Sequence, residues 1–387
     1  MKGISPIVLL IVGCVGALVM FGIVMHFGIY QTSMLQRAFR ESQLVESISM
    51  LFTVKEVLSQ ALTYSFYQAY YNTSVNGGFL NAEDIPKKDG IVFWRNFSDI
   101  YEPEILENIE VLSLKLFNEY KEKFSPPKGI SVPPSEDLNI FLDFSNDKIY
   151  IKANSTKSIS SLIKEPDEFV ELKDVIVSWT KSSLPDLVSL FEKKLKKEIF
   201  ENDRIKEIFE NEEKKIKQEN ECNYIKLTYC ENEKSQVSVS VPQECIDKFK
   251  ENVRNSIEEW IKSKVLPNYN TISFDWKILE LKTKVKYKLI EENLIEENSR
   301  DCECEEEGDR VYTCEPGMEN VEECWETVCK EYYDKYEVKY EFSYQGDATI
   351  IFEIKASEKL PVYDYSVNSN GFYRPYLKFM VRSGNLE

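Results

Sequence analysis

The sequence predicts an α+β protein. A long N-terminal helix, first membrane-spanning and then amphipathic, is followed by an extracytoplasmic α+β region with antiparallel sheet and disulfides. Three observations lead there. The first thirty residues hold one charged side chain, Lys2, ahead of an apolar run from Ile4 to Tyr30, and a helix needs about 20 apolar residues to cross a bilayer. Eight of the nine cysteines lie beyond that run, all in the second half of the chain. After Pro267, apolar and charged residues alternate, as in TKVKYKL and YEVKYEF, which marks strands with one face in water.

The apolar run of residues 4–30 is too long for the core of a secretory signal peptide, which spans about 7–15 residues and ends at a small-x-small site. Gly13, Gly16, Ala17 and Gly22 interrupt it with small side chains of the kind that let a second helix approach closely. Cys14 and His26 also lie within it.

Ahead of this helix stands Lys2-Gly3-Ile4-Ser5-Pro6-Ile7, which resembles the class III signal of archaeal type IV pilin-like proteins. The resemblance covers about the first thirty residues. It implies a leader of residues 1–3, cut by a prepilin-type peptidase between Gly3 and Ile4. It further implies contact of the released helix with membrane lipid and with other pilin-like subunits. Val8 stands where bacterial type IV pilins usually carry Glu, which suits an archaeal form, and the chain is longer than a typical major subunit. The alternative is a signal anchor that is never cleaved.

From Gln31 to Tyr71 there is no glycine or proline, and Leu44, Ile48, Leu51, Val54, Leu58, Ala61 and Leu62 recur at three- and four-residue steps. That is one face of an amphipathic helix, broken only at Asn76-Gly77-Gly78. Residues 31–124 are therefore an amphipathic stem with a helical companion at Glu102–Phe124. Further helices are expected at Asp167–Thr180, Leu184–Asn220 and Gln243–Val265. Leu184–Asn220 repeats KEIFEN at Lys197–Asn202 and Lys206–Asn211, a local duplication that places Ile199, Phe200, Ile208 and Phe209 among charges.

Strand signals follow a period of two. Asn139–Asp143 and Lys148–Ala153 predict a hairpin, and Tyr224–Tyr229 with Gln236–Val241 a second. Thr271–Ile290, Tyr336–Tyr344 and Ala348–Ala356 predict an antiparallel sheet with a turn at Gln345-Gly346-Asp347, and Tyr373–Val381 a final edge strand. Pro126-Pro127 and Pro133-Pro134 suggest a linker ahead of an α+β region, 135–266, and a break near Pro267 opens an antiparallel β region with the cysteine cluster, 267–387.

The cysteines form a group of three, Cys222, Cys230 and Cys245, and a group of five, Cys302, Cys304, Cys314, Cys324 and Cys329. Paired among themselves, two odd groups require at least one bridge between them, closing a loop worth about 3–4 kcal/mol in the chain-entropy model. Such usage marks an oxidising compartment, and sequons at Asn72, Asn96 and Asn154 agree with a glycosylated exterior. The basic residues flanking the apolar run, Lys2 against Arg37 and Arg40, leave orientation to the cysteines. A metal centre at Cys302-Glu303-Cys304 is the rival reading, but the spacings are CxC and Cx4C rather than the C-x2–4-C pairs or Cys/His sets of zinc sites. No metal ligand set and no cofactor is therefore assigned.

Catalysis and nucleic-acid binding are disfavoured. The only histidine, His26, lies in the apolar helix, so no Ser-His-Asp or Cys-His arrangement is available beyond it. No P-loop, GxGxxG, HExxH or GxSxG occurs. No catalytic residue is assigned, and a carboxylate-based hydrolase stands as the remaining enzymatic reading. All 66 acidic residues and all but one of the 48 basic ones follow the apolar run, within a net charge of −18, a balance that repels phosphate backbones. Phe79, Phe93, Trp94 and Phe97 near two sequons are read as core. The sequence thus predicts a surface-exposed pilin-like protein with a structural, adhesive or filament-assembly role. The alternative is an unprocessed single-pass protein with a disulfide-bonded binding domain outside the cell.

Overall fold

A computed structural model describes residues 6–145, 148–163, 168–172, 176–266, 269–299, 302, 310–312, 325–327, 333–364 and 369–386. Its first element is a 70-residue helix, Pro6–Val75, here called the stem helix. It ends at the expected glycines, and Gly77 holds φ +69°, a conformation open to glycine and costly for a side chain. Residues 13–42 are exposed on every face. From Leu51 onward one face is buried, through Val54, Leu58, Leu62, Phe66, Ala69 and Tyr70, which are the three- and four-residue steps of a helix seated on a core. Leu44, in the same periodic row, remains exposed.

The chain divides into two compact units. The first comprises residues 1–73, 105–185 and 358–375, so the Pro-rich stretch at 126–134 lies inside it. Helix Ile105–Lys123 buries Ile105, Ile109, Ser113 and Phe117, and Glu110 accepts the backbone N–H of Leu142 at 2.9 Å, fixing the helix against strand Leu138–Ser145. That strand, Lys148–Ser155 and Ile176–Lys181 form an antiparallel three-stranded sheet. A second such sheet joins Ile130–Ser131, Ile159–Ile163 and Glu168–Leu172, and a hairpin pairs Leu360–Asp364 with Ser369–Tyr373. The expected 139–153 hairpin is present. The helix expected at Asp167–Thr180 is not, because Glu168–Leu172 and Ile176–Lys181 are strands. Ile176, Val177, Trp179 and Thr180 suit a pleated surface, and pairing with Lys148–Ser155 overrides the helical pattern of charges.

The second unit comprises residues 74–104, 186–357 and 376–387. Its centre is one strand of 24 residues, Tyr333–Ala356. One edge of this strand pairs along its length with Ile272–Ser299, and the other pairs in succession with Tyr224–Cys230 and Tyr376–Gly384. The turn expected at Gln345-Gly346-Asp347 is therefore corrected to continuous strand. Gly346 serves close approach instead, since a Cβ there would meet the Lys282 carbonyl oxygen and the Phe209 ring. Nor is Tyr376–Gly384 an edge, since it also pairs in parallel with Ile91–Asn96. Tyr224–Cys230 takes its partner from the central strand, and no strand forms over 236–241.

Helices cover one face of this sheet. The expected Leu184–Asn220 helix is broken into Leu184–Leu190, wider π-type turns over Phe191–Glu201, and Arg204–Ile216. The break follows from Asp203, whose carboxylate caps the next helix by accepting the Lys206 N–H at 3.2 Å and also binds Arg95 at 2.9 Å. The two KEIFEN copies thus sit on successive helices, burying Ile199, Phe200 and Phe209. Gln243–Trp260 is helical and continues as Ile261–Val265, whereas Pro267 lies outside the described residues. Trp94 is fully buried, stacked 3.5 Å from Phe379 and edge-on to Phe191, with its indole N–H on the Gly77 carbonyl at 2.8 Å. Phe79 and Phe93 are buried with it, as expected of large aromatics, whereas Phe97 is half-buried beneath the Arg382 guanidinium.

Candidate functional site

The stem helix is the element whose exposure needs a functional reason. Leu18, Phe21, Ile29 and Leu35 are 63% to 70% exposed. No acidic residue precedes Glu41. Residues 13–42 span about 45 Å at a rise of 1.5 Å per residue, more than the roughly 30 Å hydrocarbon core of a bilayer. By length and composition this helix can cross a membrane.

Its C-terminal half is fixed by polar contacts to the first unit. Thr63 shares a hydrogen bond with Ser178, Tyr67 with Thr180 at 2.7 Å, and Tyr70 with Ser183 at 3.0 Å. The Ser183 hydroxyl and backbone N–H both donate to Glu358 Oε1, at 2.8 and 2.7 Å. Tyr70 must then donate to Ser183, since a hydroxyl has one proton. Gln68 closes a pseudo-ladder with strand Leu360–Asp364, donating to the Tyr363 carbonyl at 2.9 Å and accepting its N–H at 2.8 Å. Nothing in the sequence singles out Gln68 as the residue that completes that strand.

Among the described residues two disulfides are present. Cys222 joins Cys245 across 23 residues, and Cys230 joins Cys302 across 72. The second links the group of three to the group of five, as their odd parity requires. In the chain-entropy model the two closures stabilise by about 3 and about 4 kcal/mol. Cys304, Cys314, Cys324 and Cys329 lie outside the described residues, as do Gly3 and Ile4. Of the sequon asparagines, Asn154 is exposed on strand Lys148–Ser155, while Asn72 and Asn96 are half-buried, Asn72 accepting from Gln68 at 2.8 Å. Among the described residues no group of three or more His, Cys, Asp or Glu side chains is placed to hold a metal ion.

One depression of about 320 Å³ lies in the second unit, walled by Glu198, Arg204, Glu207, Ser256 and Trp260. Its polar groups engage one another: the Trp260 indole donates to Glu198 at 2.9 Å, and Arg204 to Glu207 at 2.6 Å. Elsewhere Asp143 is held below the usual carboxylate range by the hydrogen bond from Lys152, Glu280 by those from Lys282 and Lys88, and Glu292 by those from Tyr229 and Lys234. A general acid needs the opposite shift.

No family model, curated protein or solved structure matches this chain. The described residues define the class: a protein of mixed helix and antiparallel sheet, with two disulfides and a long apolar N-terminal helix.

Proposed function

We propose that this is a membrane-anchored, pilin-like surface protein, cut between Gly3 and Ile4, with its head outside the cytoplasm in a structural, adhesive or assembly role. The observation that carries the reading is the unbroken helix from Pro6 to Val75, whose first part is apolar and uncovered while its later part is built into the head. Leaving that much apolar surface in water is unfavourable by about 25 cal/mol per Å², so the uncovered half calls for lipid or neighbouring helices. The disulfides support the extracytoplasmic placement, since such bonds persist in oxidising compartments. Asn154 is the sequon best exposed for glycosylation. With its sole histidine in the anchor and the shifted carboxylates among the described residues all lowered rather than raised, a role in binding or assembly is favoured over catalysis.

The test is N-terminal and intact mass spectrometry of native protein from the membrane fraction, without reduction. The expected species begins at Ile4 with the eight head thiols oxidised. A chain retaining Met1 with oxidised thiols replaces this reading with an uncleaved single-pass anchor, and a chain with free thiols overturns the extracytoplasmic placement.

A further inference from the structure

Among the described residues the strand Ile272–Ser299 has a strand partner on one side only. Tyr333–Ala356 fills that side, and among the described residues no strand pairs with the other. An open edge presents unpaired backbone donors and acceptors that template another strand, and proteins blunt such edges by shortness, proline or charge. This one runs 28 residues without proline or glycine, with bulges after Ile278, Leu289, Leu294 and Glu296 that adjust its twist but leave it paired with the central strand to its end.

Its sequence changes character midway. Lys282, Lys284, Lys286 and Lys288 lead, and Glu291, Glu292, Glu296 and Glu297 follow. Tyr287, Leu289, Ile290, Leu294 and Ile295 among them are 41% to 54% exposed. Lys282 pairs with Glu280 and Glu292 with Lys234, but among the described residues Lys284, Lys286 and Lys288 have no ion-pair partner. Lysines alone would repel a neighbouring copy. A lysine block followed by a glutamate block is instead complementary to its own reverse.

We propose that a second copy of this chain docks on this edge, the two Ile272–Ser299 strands pairing antiparallel about a two-fold axis at Leu289 and merging two sheets into one. Bulges after Leu289 and Leu294 put Lys284, Lys286, Lys288, Glu291 and Glu296 on one face of the sheet, and about that axis Lys288 faces Glu291 of the other copy and Lys284 faces Glu296, an isologous contact in which the lysine block meets the glutamate block. The exposed apolar side chains between the blocks are covered in the same step. Parallel pairing would oppose lysine to lysine, so the charge pattern sets the direction as well as the partner. The docking is independent of how the stem helix is used.

The test mixes ¹⁴N and ¹⁵N copies of the full-length chain in detergent and treats them with a carbodiimide, which condenses a lysine amine with a carboxylate at contact distance, with loss of water. Hybrid-isotope peptides joining residues 282–288 to 291–297 are expected. A variant exchanging the blocks, carrying Lys284→Glu, Lys286→Glu, Lys288→Glu, Glu291→Lys, Glu296→Lys and Glu297→Lys, keeps every reactive group and its own self-complementarity. It should cross-link to itself, while its mixture with the wild type should give hybrid peptides about tenfold less often, equivalent to about 1.4 kcal/mol. Association through the stem helix would be the same in all three mixtures. Absence of hybrid peptides in the wild-type mixture, or equal yields in all three, overturns the proposal. If the exchanged chain fails to fold, the wild-type mixture alone decides.

Discussion

The two halves of the stem helix are built from similar apolar side chains and meet opposite fates. Phe21 and Leu35 are 63% and 70% exposed, whereas Leu58 and Phe66 are 1% and 0% exposed. What separates them is pattern. The first half is apolar all round, so no face is favoured and none is buried by the head. The second half confines its apolar residues to one stripe and sets Thr63, Tyr67, Gln68 and Tyr70 beside it, where they bond the first unit. One continuous backbone is thus prepared for two environments, the first apolar throughout and the second supplying partners for polar groups.

The largest break in this comparison should come from truncating a side chain in the buried stripe. Phe66→Ala removes a fully buried ring stacked on Tyr70 and should destabilise the first unit by about 3–5 kcal/mol. Denaturant unfolding of the protein in detergent, followed by hydrogen exchange of strand Ile176–Lys181, would measure it. Phe21→Ala is the control in the other half. It should leave that unfolding within about 0.5 kcal/mol of wild type, and a comparable loss there would mean that the outer half is folded onto the head.

A smaller effect is expected where the helix completes a strand. Gln68→Ala leaves the Tyr363 N–H and carbonyl without their side-chain partner, at a cost of about 1–3 kcal/mol. The loss should be local, seen as faster exchange across the hairpin Leu360–Asp364 and Ser369–Tyr373, with the second unit unchanged. Uniformly faster exchange in both units would show that Gln68 acts through global stability rather than by pinning this hairpin.

How much of this could be read from the sequence follows the same division between local pattern and long-range pairing. The stem helix, its stop at Asn76-Gly77-Gly78, the helix Gln243–Trp260 and the hairpin at 138–155 follow from periodicity and turn residues within short windows. The bridge between cysteine groups followed from counting alone. What escaped depends on partners far along the chain. Ile176–Lys181 is a strand because Lys148–Ser155 lies beside it. Gly346 has the composition of a turn, yet it lies within a straight strand because Phe209 packs where its side chain would be. Asp203 breaks a helix in company with Arg95, more than a hundred residues earlier in the chain. Gln68 is equally silent, one amide among many until strand Leu360–Asp364 is in place.

The smallest effect at neutral pH is the one that distinguishes the two halves most cleanly at high pH. Burial, reinforced by the Glu358 carboxylate, pushes the Tyr70 hydroxyl well above its ordinary value near 10. The folded first unit therefore holds the Tyr70 proton where the unfolded chain would release it. This contribution to stability is complete below pH 10 and is lost progressively as the pH rises above it. Tyr70→Phe should cost about 0.5–1.5 kcal/mol at pH 7 through the lost hydrogen bond to Ser183, yet flatten the decline in stability above pH 10. Wild-type and variant unfolding midpoints should accordingly converge as the medium becomes more alkaline. Parallel curves would mean that Tyr70 is solvated when ionised, and that the buried half of the stem is less tightly seated than its hydrogen bonds to Thr180, Ser183 and Tyr363 require.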